Sequence, residues 1–574
     1  MTNQELADVF ALVGDLLEIK GEIVYKTLAY RKAAESLSGL GRDVNDIWKE
    51  GGQKALMEIP GVGKAIAEKI DELLQTGKLE YLEKVKKEVP AELAALLQIP
   101  DLGPKKVGMF YRELGILTID QLKEAAQQQK LRDLPGMGEK SEAKILAGIE
   151  ALSRRSGRLP LGTVLPFAEE LRASVRKMPG VKAAELAGSL RRMRHTVGDI
   201  DLLVAARNPE TVIAAFAAAP NVARVTGQGT VKAGVEFHNG MRAQIWVHQP
   251  ERFGTALQYA TGSKEHNVRL REMALDKDLS LSDQSFLRKD GTELLCATEA
   301  EVYHELGMPW IPPEIREDSG EIQAALNGVL PKLIEVKNIR ADLHCHSTWS
   351  DGQTSIAELA KAAKNRGYKT LAITDHSPSI GLVNGLSIER LREQRKEIEK
   401  LRKKLGDSLL ILHGVEVEIK ADGKLDYPDD VLEWLDIVIA SLHVSIRQPR
   451  AQVTERVIAA MRNPHVDIIG HPSNRMLPDR EGADLDWDAV LKAAAETGTA
   501  LEINANPRRL DLDDVQARRA IDMGIKLSVN TDAHHPDHMD FIAFGVATAR
   551  RGWVTAPDVI NAWTPKQIKA WLKD

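Results

Sequence analysis

From Ile339 onward, the sequence alternates short apolar segments with amphipathic helical stretches, and this rhythm constrains the possible fold more than any other feature. The apolar segments are TLAITD, LLILHGVEVEI, IVIASLHVS, VDIIGHP, ALEINAN and IKLSVNTD. Strands that alternate with helices in this way form parallel sheets, and a βα barrel is such a sheet closed on itself. We therefore predict a distorted βα barrel, or a related parallel sheet, for residues 339–574.

Histidine and acidic residues crowd the ends of these segments, which is where βα folds carry their chemistry. The segment DLHCHSTWSDG begins at Asp342, and its two histidines share one face of a strand because successive side chains alternate. An isolated H-x-H pair is more often a coincidence or a structural pair than a metal site, but here further candidate ligands follow the later segments. The predicted metal ligands are His344, His346, Asp351, His376, Glu416, His443, His471, Asp532 and His534. These nine residues suit a cluster of two or three Zn²⁺ or Mn²⁺ ions, which would activate a bridging water and clamp a phosphate.

This ligand set resembles that of the polymerase-and-histidinol-phosphatase (PHP) domain at all nine positions. The resemblance implies a phosphoesterase in which Glu416 bridges the ions and is a catalytic residue. Arg475 and Arg508 are candidates for holding the phosphate. The thiol of Cys345 lies between the two histidines of the pair, so we expect it to face away from them and to pack in the core.

Three turns in the N-terminal third repeat one pattern, in which an apolar residue and a proline precede a glycine that opens a helix. The copies are IPGVGKAIAEKI at 59–70, IPDLGPKKVGMF at 99–110 and LPGMGEKSEAKI at 134–145. The pattern resembles the helix-hairpin-helix motif, whose backbone N–H groups hold a DNA phosphate without reading sequence. Such contacts need little basic charge and are compatible with the net charge of −6. The alternative is that the turns only join helices. The glycines implied in DNA binding are Gly61, Gly63, Gly103, Gly136 and Gly138.

The first copy of this pattern belongs to a longer similarity. IVYKTLAYRKAAESL at 23–37 and GVGKAIAEKIDELL at 61–74 resemble the small lyase domain of DNA polymerase beta and its relatives. The resemblance puts the Schiff-base lysine of that family on Lys69, with Lys26, Tyr30 and Lys64 as DNA contacts. A nucleophilic lysine must be neutral, hence desolvated or close to other cations. The alternative, that Lys69 only contacts a 5′-phosphate, stays open.

The segment AGSLRRMRHTVGDIDLLV at 187–204 carries two carboxylates, Asp199 and Asp201, that point to one face of a strand. Carboxylates beside a Gly-Ser turn and arginines suit a triphosphate bound with Mg²⁺ or Mn²⁺. Together with QYATGSKEHNVRLR at 258–271, the segment resembles the palm and nucleotide pocket of family X DNA polymerases. The resemblance makes Asp199 and Asp201 catalytic metal ligands. It also implies nucleotide-binding residues, namely Gly188, Ser189, Arg192, Gly198, Tyr259, Gly262, Asn267 and Arg271.

One position departs from the family pattern. Relatives carry a third carboxylate after the hairpin, in an R-x-D sequence, whereas this chain has Gln244 there. A neutral amide does not replace the carboxylate that helps to hold the metal at the primer 3′-OH. Asn239-Gly240 predicts a two-residue hairpin turn, which pairs Val235 with Gln244 and turns Glu236 to the opposite face. We therefore expect nucleotide and gapped DNA to bind, while extension is weak or lost.

The resemblance covers essentially the whole chain and is to the bacterial and archaeal family X DNA polymerases that end in a PHP domain. It implies a multidomain α/β protein with all-helical helix-hairpin-helix domains, an α+β nucleotidyltransferase-type palm and thumb, and the distorted βα barrel. The predicted domains are a lyase-like domain at 1–85, a fingers-like domain with two helix-hairpin-helix turns at 86–158, a palm at 159–248, a thumb at 249–318, a linker at 319–338 and the PHP domain at 339–574.

The implied activities are gap filling in DNA repair and, from the barrel, Mn²⁺-dependent 3′→5′ exonuclease or 3′-end phosphoesterase action. The expected partners are dNTP and gapped or nicked DNA with 3′ ends. The chain has only two cysteines and no apolar run long enough for a bilayer. We therefore expect a cytoplasmic protein without disulfides, and a monomer. The rival interpretations are an active gap-filling polymerase whose barrel proofreads, a small-molecule phosphatase resembling histidinol phosphatase, and a non-enzymatic scaffold for DNA ends.

Overall fold

The computed structural model describes most of the chain, in two compact units. The described residues are 1, 3–38, 44–59, 61–99, 102–154, 158–379, 383–477 and 480–572. Pro60, Pro100 and Asp101 of the repeated turns lie outside the described residues. The first unit comprises residues 1–157 with the hairpin tip 237–241, and the second comprises residues 158–236 and 242–574. Within the described ranges, every helix is too short or too polar to span a lipid bilayer.

The described residues up to 154 form helices and turns, as predicted. Their α-helices are α1 (Asn3–Lys20), α2 (Val24–Ser38), α3 (Val44–Leu56), α4 (Lys64–Thr76), α5 (Glu80–Glu88), α6 (Pro104–Leu114), α7 (Ile119–Gln127) and α8 (Glu139–Arg154), with a 3₁₀ helix at Ala91–Gln98. The core is centred on α1, where Leu6, Phe10, Val13 and Leu17 recur at helical spacing and are fully buried. This apolar stripe explains why α1 packs against α2, α5 and α6.

The predicted palm contains a five-stranded sheet in the order β2-β4-β7-β6-β5. Its elements are β1 (Leu159–Pro160), α9 (Leu161–Arg176), β2 (Val181–Leu186), α10 (Gly188–Arg191), β3 (Thr196–Val197), β4 (Ile200–Ala206), α11 (Pro209–Ala217), β5 (Val222–Gln228), β6 (Lys232–Phe237) and β7 (Arg242–His248). The central strand β4 is apolar and buried over most of its length. It runs parallel to β7 and antiparallel to β2.

The predicted thumb packs around a buried ion pair. Its elements are α12 (Phe253–Thr261), α13 (Lys264–Leu275), β8 (Leu279–Leu281), β9 (Phe286–Arg288), β10 (Glu293–Leu294) and α14 (Glu299–Glu305), with 3₁₀ helices at Pro250–Arg252 and Pro313–Ile315. Helix α15 (Glu321–Leu326) follows in the predicted linker. The fully buried guanidinium of Arg316 donates to Glu299 at 2.6 Å and to the Ile311 carbonyl at 2.9 Å. Glu299 also accepts from Arg191 at 2.7 Å, so neither buried charge is left uncompensated.

The C-terminal region is a nearly closed parallel barrel, which confirms the predicted fold class. Strands β11 to β17 lie side by side in chain order and run parallel. A parallel bridge between Cys345, just after β11, and Ala533, just after β17, joins the last strand to the first. The elements are β11 (Ala341–Asp342), α16 (Ile356–Asn365), β12 (Thr370–Ile373), α17 (Ile388–Leu405), β13 (Leu410–Glu418), α18 (Asp429–Leu432), β14 (Ile437–Ser441), α19 (Arg450–Met461), β15 (Ile468–Gly470), α20 (Trp487–Thr497), β16 (Ala500–Asn504), α21 (Asp514–Asp522), β17 (Leu527–Asn530), α22 (Ile542–Arg551) and α23 (Pro565–Trp571), with 3₁₀ helices at Val336–Asn338, Gly406–Ser408, Pro536–Phe541, Ala556–Asp558 and Ile560–Ala562.

The turn between β6 and β7 differs from the predicted two-residue turn. The N–H of Gly240 donates to the Phe237 carbonyl at 2.9 Å, and the N–H of Phe237 donates to the Met241 carbonyl at 2.8 Å. Gly240 has a φ of +80°. The connection is therefore a three-residue loop, in which a type I turn is followed by a glycine in the left-handed region.

The extra loop residue shifts the strand register by one. Gly234, rather than Val235, pairs with Gln244, and Glu236 pairs with Arg242. Residues directly opposite each other in a sheet point to the same face. The expectation that Glu236 faces away from Gln244 is therefore wrong, because both side chains lie on one face.

Helix α12 approaches the start of α14 so closely that only glycine fits at Gly254. A Cβ there would lie 2.2 Å from the Thr298 carbonyl oxygen and 2.5 Å from the Thr298 nitrogen. Because backbone atoms would have to move, we expect Gly254→Ala to destabilise the protein by about 1–3 kcal/mol. A lower urea midpoint would reveal this loss.

The matched control is Gly227→Ala on strand β5, where an added Cβ meets nothing within 4 Å. Its free energy of unfolding should stay within about 0.5 kcal/mol of that of the parent protein. Equal midpoints for Gly254→Ala and the parent protein would contradict the close approach of α12.

Candidate functional site

The C-terminal ends of the barrel strands bring the predicted metal ligands into overlapping groups. Since all seven strands are parallel, these ends open at the same edge of the barrel. In each group, one ligand atom per residue lies within 4.8 Å of the others. The groups are His346 with Asp351, His376 and His534; His344 with His346 and Glu416; and His376 with Glu416 and His443.

Glu416, on strand β13, lies at the centre of these groups. Its Oε1 is 2.9 Å from His471 Nε2 and 3.4 Å from His443 Nε2. Its Oε2 is 2.9 Å from His376 Nδ1 and 3.4 Å from His344 Nε2. The same Oε2 is also 3.5 Å from His346 Nε2, so one oxygen of the carboxylate faces two histidines and the other faces three different ones.

Two aspartates complete the cluster. Asp351 Oδ2 lies 3.3 Å from His534 Nε2 and 3.5 Å from His376 Nε2. Asp532 Oδ1 lies 3.1 Å from His346 Nε2. Through these contacts, all nine predicted ligands join one cluster.

Many ligand atoms of this cluster are buried without a hydrogen-bond partner among the described residues. They are His344 Nε2, both ring nitrogens of His346 and His471, His376 Nδ1, and both carboxylate oxygens of Glu416. Buried polar atoms are normally paired, so unpaired atoms that converge on one point fit bound cations. Imidazole nitrogens mixed with carboxylate oxygens are a donor set suited to Zn²⁺ or Mn²⁺.

The charges in the cluster are strongly coupled. Burial opposes the ionised form of Glu416, but the neighbouring histidines outweigh burial and hold its pKa well below its usual value. Burial also opposes the charged form of His376, yet Glu416 and Asp351 raise its pKa to about 10. The pKa of His346 falls to about 3, because of burial and then His376 and His534. A bound cation would displace the His376 proton, since only the neutral imidazole is a ligand.

Two carboxylates that the sequence analysis missed lie directly behind the ligands. Glu502 on β16 lies 2.8 Å from His344 Nδ1, and Glu418 on β13 lies 2.8 Å from His443 Nδ1. Each contact leaves the other ring nitrogen directed at the cluster. Period-2 alternation could have identified Glu418, which is two residues after Glu416. The only sequence signal for Glu502 was a charged residue inside an otherwise apolar strand segment.

An arginine that the sequence analysis did not single out, Arg509, contacts one of the predicted ligands. Arg475 donates its Nε–H to the Arg509 carbonyl at 2.8 Å and a further N–H to the Leu510 carbonyl, so it supports that loop. Arg508 is exposed. Arg509 Nε lies 3.6 Å from Asp532 Oδ2. Cys345 is fully buried in the apolar core, as expected.

The palm brings its two predicted carboxylates beside Gln244. Asp201 on β4 pairs with Gln244 on β7, and Arg242 Nε lies 3.2 Å from Asp199 Oδ1. Burial, followed by the charge of Asp199, raises the pKa of Asp201 to about 6. A Cβ on Gly188 would lie 2.2 Å from Asp201 Oδ2, which explains the glycine at that position.

A cavity of about 380 Å³ opens next to Asp201. The predicted nucleotide-binding residues that line it are Arg192, Tyr259, Gly262, Asn267 and Arg271. Among the residues that the structure describes around it, Gly188, Ser189 and Gly198 are not part of the lining. Trp246, which was not predicted, lines the cavity and contacts the Lys232 ammonium, 4.5 Å from its ring centre.

In the first unit, the predicted lyase residues surround an aromatic ring that the sequence analysis missed. The Nζ atoms of Lys69 and Lys26 lie 5.2 Å and 5.5 Å from the centre of the Tyr81 ring. Tyr30 is buried and stacks on Tyr81, with ring centres 5.8 Å apart. Lys69 donates to the Ala65 carbonyl at 3.0 Å. The two lysines thus share one ring, whereas Lys64 is exposed.

The repeated turns of this unit have a common geometry where they are described. Gly61 and Gly136 have φ values of +81° and +71°, which type II turns require at their third residue. Equivalent N–H groups close the three turns, namely Val62 to Ile59, Leu102 to Ile99 and Met137 to Leu134.

A helix follows each of these turns. Gly63 and Gly103 are the N-cap residues of α4 and α6, and neither cap has a side-chain hydrogen bond. Gly138 immediately precedes α8. Helix α6 begins with Pro104, which has no N–H. The other N–H groups in the first turns of α4 and α6 have no side-chain acceptor at the cap, and this arrangement suits an external anion.

Family models match much of the chain. A helix-hairpin-helix domain matches residues 1–79, and a SAM-like helix-hairpin-helix tandem matches residues 93–151. The DNA polymerase beta thumb matches residues 256–317, and the PHP domain matches residues 342–506.

Relatives match the chain at two scales. A probable phosphatase of Thermoanaerobacter sp. (strain X514) is 34% identical over 246 residues, which are 41% of this chain and 94% of that protein. A probable phosphatase of Shewanella sp. (strain MR-4) is 32% identical over 204 residues, which are 34% of this chain and 75% of that protein. The DNA polymerase/3′-5′ exonuclease PolX of Bacillus subtilis (strain 168) is 38% identical over 576 residues and matches 100% of both chains. The chain therefore belongs to PolX, the family X DNA polymerases that carry a C-terminal PHP domain.

Proposed function

We propose that the barrel hydrolyses phosphoester bonds at DNA 3′ ends, as a metal-dependent 3′→5′ exonuclease and 3′-end phosphoesterase. The main support is Glu416, a buried carboxylate whose oxygens face five histidines and have no hydrogen-bond partner in the described structure. The full-length relative named a DNA polymerase/3′-5′ exonuclease supports the same activity.

The residues of the barrel have distinct roles in this proposal. Two or three Mn²⁺ or Zn²⁺ ions, held by the nine ligands, would supply positive charge to the phosphate and lower the pKa of a bound water. Glu416 would bridge ions, because its two oxygens face different histidines. Glu502 and Glu418 hold the ligand rings in orientation through their Nδ1 atoms. Arg509 adds a cation beside Asp532.

In this proposal, the predicted lyase-like domain at 1–85 and the fingers-like domain at 86–158 act as the DNA-binding platform. Uncapped helix starts at the repeated turns would hold backbone phosphates of gapped or nicked DNA with 3′ ends. Lys26 and Lys69, which share the Tyr81 ring, would contact the 5′ side of the gap. The protein would act in DNA repair, as a monomer in the cytoplasm.

The palm binds dNTP with Mg²⁺ or Mn²⁺ through Asp199 and Asp201 in this proposal, but extends a primer weakly or not at all. Gln244 stands directly beside Asp201. Its side chain is neutral, so it supplies no negative charge to a metal at the primer 3′-OH. Five of the predicted nucleotide-binding residues line the cavity beside Asp201, which supports nucleotide binding.

Glu236 shares the face of Gln244 but is a poor replacement for the third carboxylate. Its carboxylate pairs with Arg224 on the outer strand β5, at 2.9 Å. Arg242 lies on the strand between Glu236 and Asp199. Two strand spacings therefore separate the backbones of the two acidic residues, about 10 Å.

A small-molecule phosphatase is the second candidate function, favoured by the relatives named probable phosphatases. It leaves the three helix-hairpin-helix turns and the nucleotide pocket without a role. The two candidates differ in one simple measurement: DNA should compete with hydrolysis of p-nitrophenyl phosphate only if the barrel takes DNA ends.

A 5′-labelled primer in gapped duplex DNA tests the barrel. With Mn²⁺, we expect the protein to shorten the primer both with and without dNTPs. The double variant His344→Ala/His346→Ala removes two ligands of the cluster, so we expect the rate to fall about a hundredfold or more. Product lengths on a denaturing gel give the measurement, together with the metal content of each protein.

His465→Ala is the matched control, because His465 precedes β15 at the opposite end of the barrel strands. It should shorten the primer at the parent rate. Shortening that persists in the double variant would overturn the assignment of the cluster. An inert parent protein would favour a non-enzymatic scaffold for DNA ends.

Restoring the missing carboxylate tests the palm. In a His344→Ala/His346→Ala background, where shortening does not mask synthesis, we expect Gln244→Asp to raise single-nucleotide insertion into a gap about tenfold or more. The reason is that the added charge would strengthen metal binding beside Asp201. Gln249→Asp makes the same chemical change just after β7 and should have no effect.

Two results would contradict this assignment. Robust insertion by the chain with Gln244 unchanged would indicate an active gap-filling polymerase with a proofreading barrel. Equal insertion by the Gln244→Asp variant and its parent would mean that the third carboxylate does not limit extension.

A further inference from the structure

Three loops at the ligand edge of the barrel carry arginines that are not metal ligands. Arg447 follows β14, Arg480 follows β15 and Arg509 follows β16. The ligands His443 and His471 leave the same strand ends as Arg447 and Arg480. The three arginines therefore lie on one side of the cluster.

Two of these arginines meet at one buried amide. Arg480 donates to the backbone carbonyl of Asn474 at 2.8 Å and to its Oδ1 at 3.0 Å. Arg509 donates to the same Oδ1. Asn474 is buried and is fixed in turn by its Nδ2, which donates to the Leu442 carbonyl at 2.6 Å. One neutral side chain thus holds two guanidinium groups near each other.

The charge of this pair is incompletely balanced. Arg509 has Asp532 at 3.6 Å, and Asp532 is already a predicted metal ligand. The Nε–H of Arg480 is buried and has no hydrogen-bond partner within the described residues. Burial, followed by the positive charges of Arg509 and Arg447, lowers the pKa of Arg480. A buried donor among like charges is stabilised by an anion.

The third arginine, Arg447, lies on a loop that is held in place by hydrogen bonds. Arg456, which is buried, donates to the Val444 carbonyl at 3.1 Å, to the Ser445 carbonyl at 3.2 Å and to Gln448 Oε1 at 2.6 Å. These contacts lie on both sides of Arg447, whose own side chain is exposed. The backbone of Arg480 is held similarly, by two hydrogen bonds to Met476 at 2.7 and 2.8 Å.

We infer that Arg447, Arg480 and Arg509 form a second phosphate subsite, which binds the internucleotide phosphate next to the scissile one. The inference rests on the proposed function and specifies its substrate as a nucleic acid strand. A phosphate monoester carries one phosphate, which the metal cluster takes, and has nothing for a second cationic site. A strand carries its next phosphate one nucleotide away, where guanidinium groups suit the oxygens.

Thymidine dinucleotide and trinucleotide are the probes that isolate this subsite. The dinucleotide has only the scissile phosphate, whereas the trinucleotide has one more on its 5′ side. Both are short, which limits binding at the helix-hairpin-helix turns. With Mn²⁺, we expect the full-length protein to hydrolyse the trinucleotide with a kcat/KM about tenfold higher, the effect of one hydrogen bond to a charged group.

Arg480→Gln and Arg447→Gln are the test variants. In each, we expect the ratio of the two kcat/KM values to fall towards one, mainly through a higher KM for the trinucleotide. Arg462→Gln at the far end of α19, where Arg462 pairs with Glu455 at the surface, should keep the parent ratio. Because Arg447 is exposed, its variant gives a result even if Arg480→Gln does not fold. An unchanged metal content verifies that the cluster is intact.

Three outcomes would count against the inference. A parent ratio that survives in both variants overturns the second subsite alone. So does an equal loss on both probes, because it would assign the arginines to the scissile phosphate. A parent protein that hydrolyses neither probe overturns the proposed function and this inference together.

Discussion

The buried carboxylate of Glu416 is the constraint on which the barrel site depends. A carboxylate removed from water is unstable unless cations or donors surround it. Its oxygens have no hydrogen-bond donor in the described structure, and the groups that face them are His344, His346, His376, His443 and His471. These histidines follow four different strands, and they meet only because the strands are parallel and in chain order. The strand order of the barrel therefore also assembles the cluster, because a barrel with another strand order would bury Glu416 without these histidines.

A second buried charge network joins the palm to the barrel within the second unit. Arg551, at the end of α22, donates to the Arg192 carbonyl at 2.7 Å, to Glu317 at 2.9 Å and to Asp514 at 2.5 Å. Removing one partner would leave a buried charge uncompensated. Arg192 lines the nucleotide cavity, and Asp514 begins α21, after the loop that carries Arg509. The cavity and the barrel loop thus rest on shared contacts, which gives the palm a structural role that does not depend on its rate of synthesis.

The sequence predicted which residues meet in the barrel cluster because two simple rules bring them together. Alternation along a strand decides which side chains share a face, and parallel order brings the strand ends together. Neither rule finds Arg480 and Arg509, which come from different loops and meet only through Asn474. The hairpin before β7 could not be predicted for another reason. Asn-Gly fits a two-residue turn and also the last two positions of a three-residue loop. The difference of one residue in loop length decides the face of the sheet on which Glu236 lies.

The barrel and the palm balance their charges differently. In the barrel, carboxylates alternate with imidazoles, so each ionised group has an opposite or neutral neighbour even without a cation. In the palm, Asp199 faces Arg242, and burial with the charge of Asp199 already raises the pKa of Asp201 to about 6. A third carboxylate on this face would add a further like charge, whereas Gln244 adds none. The amide therefore lowers the electrostatic cost of bringing Asp199 and Asp201 together, and this agrees with the proposal that the palm binds nucleotide but extends a primer weakly or not at all.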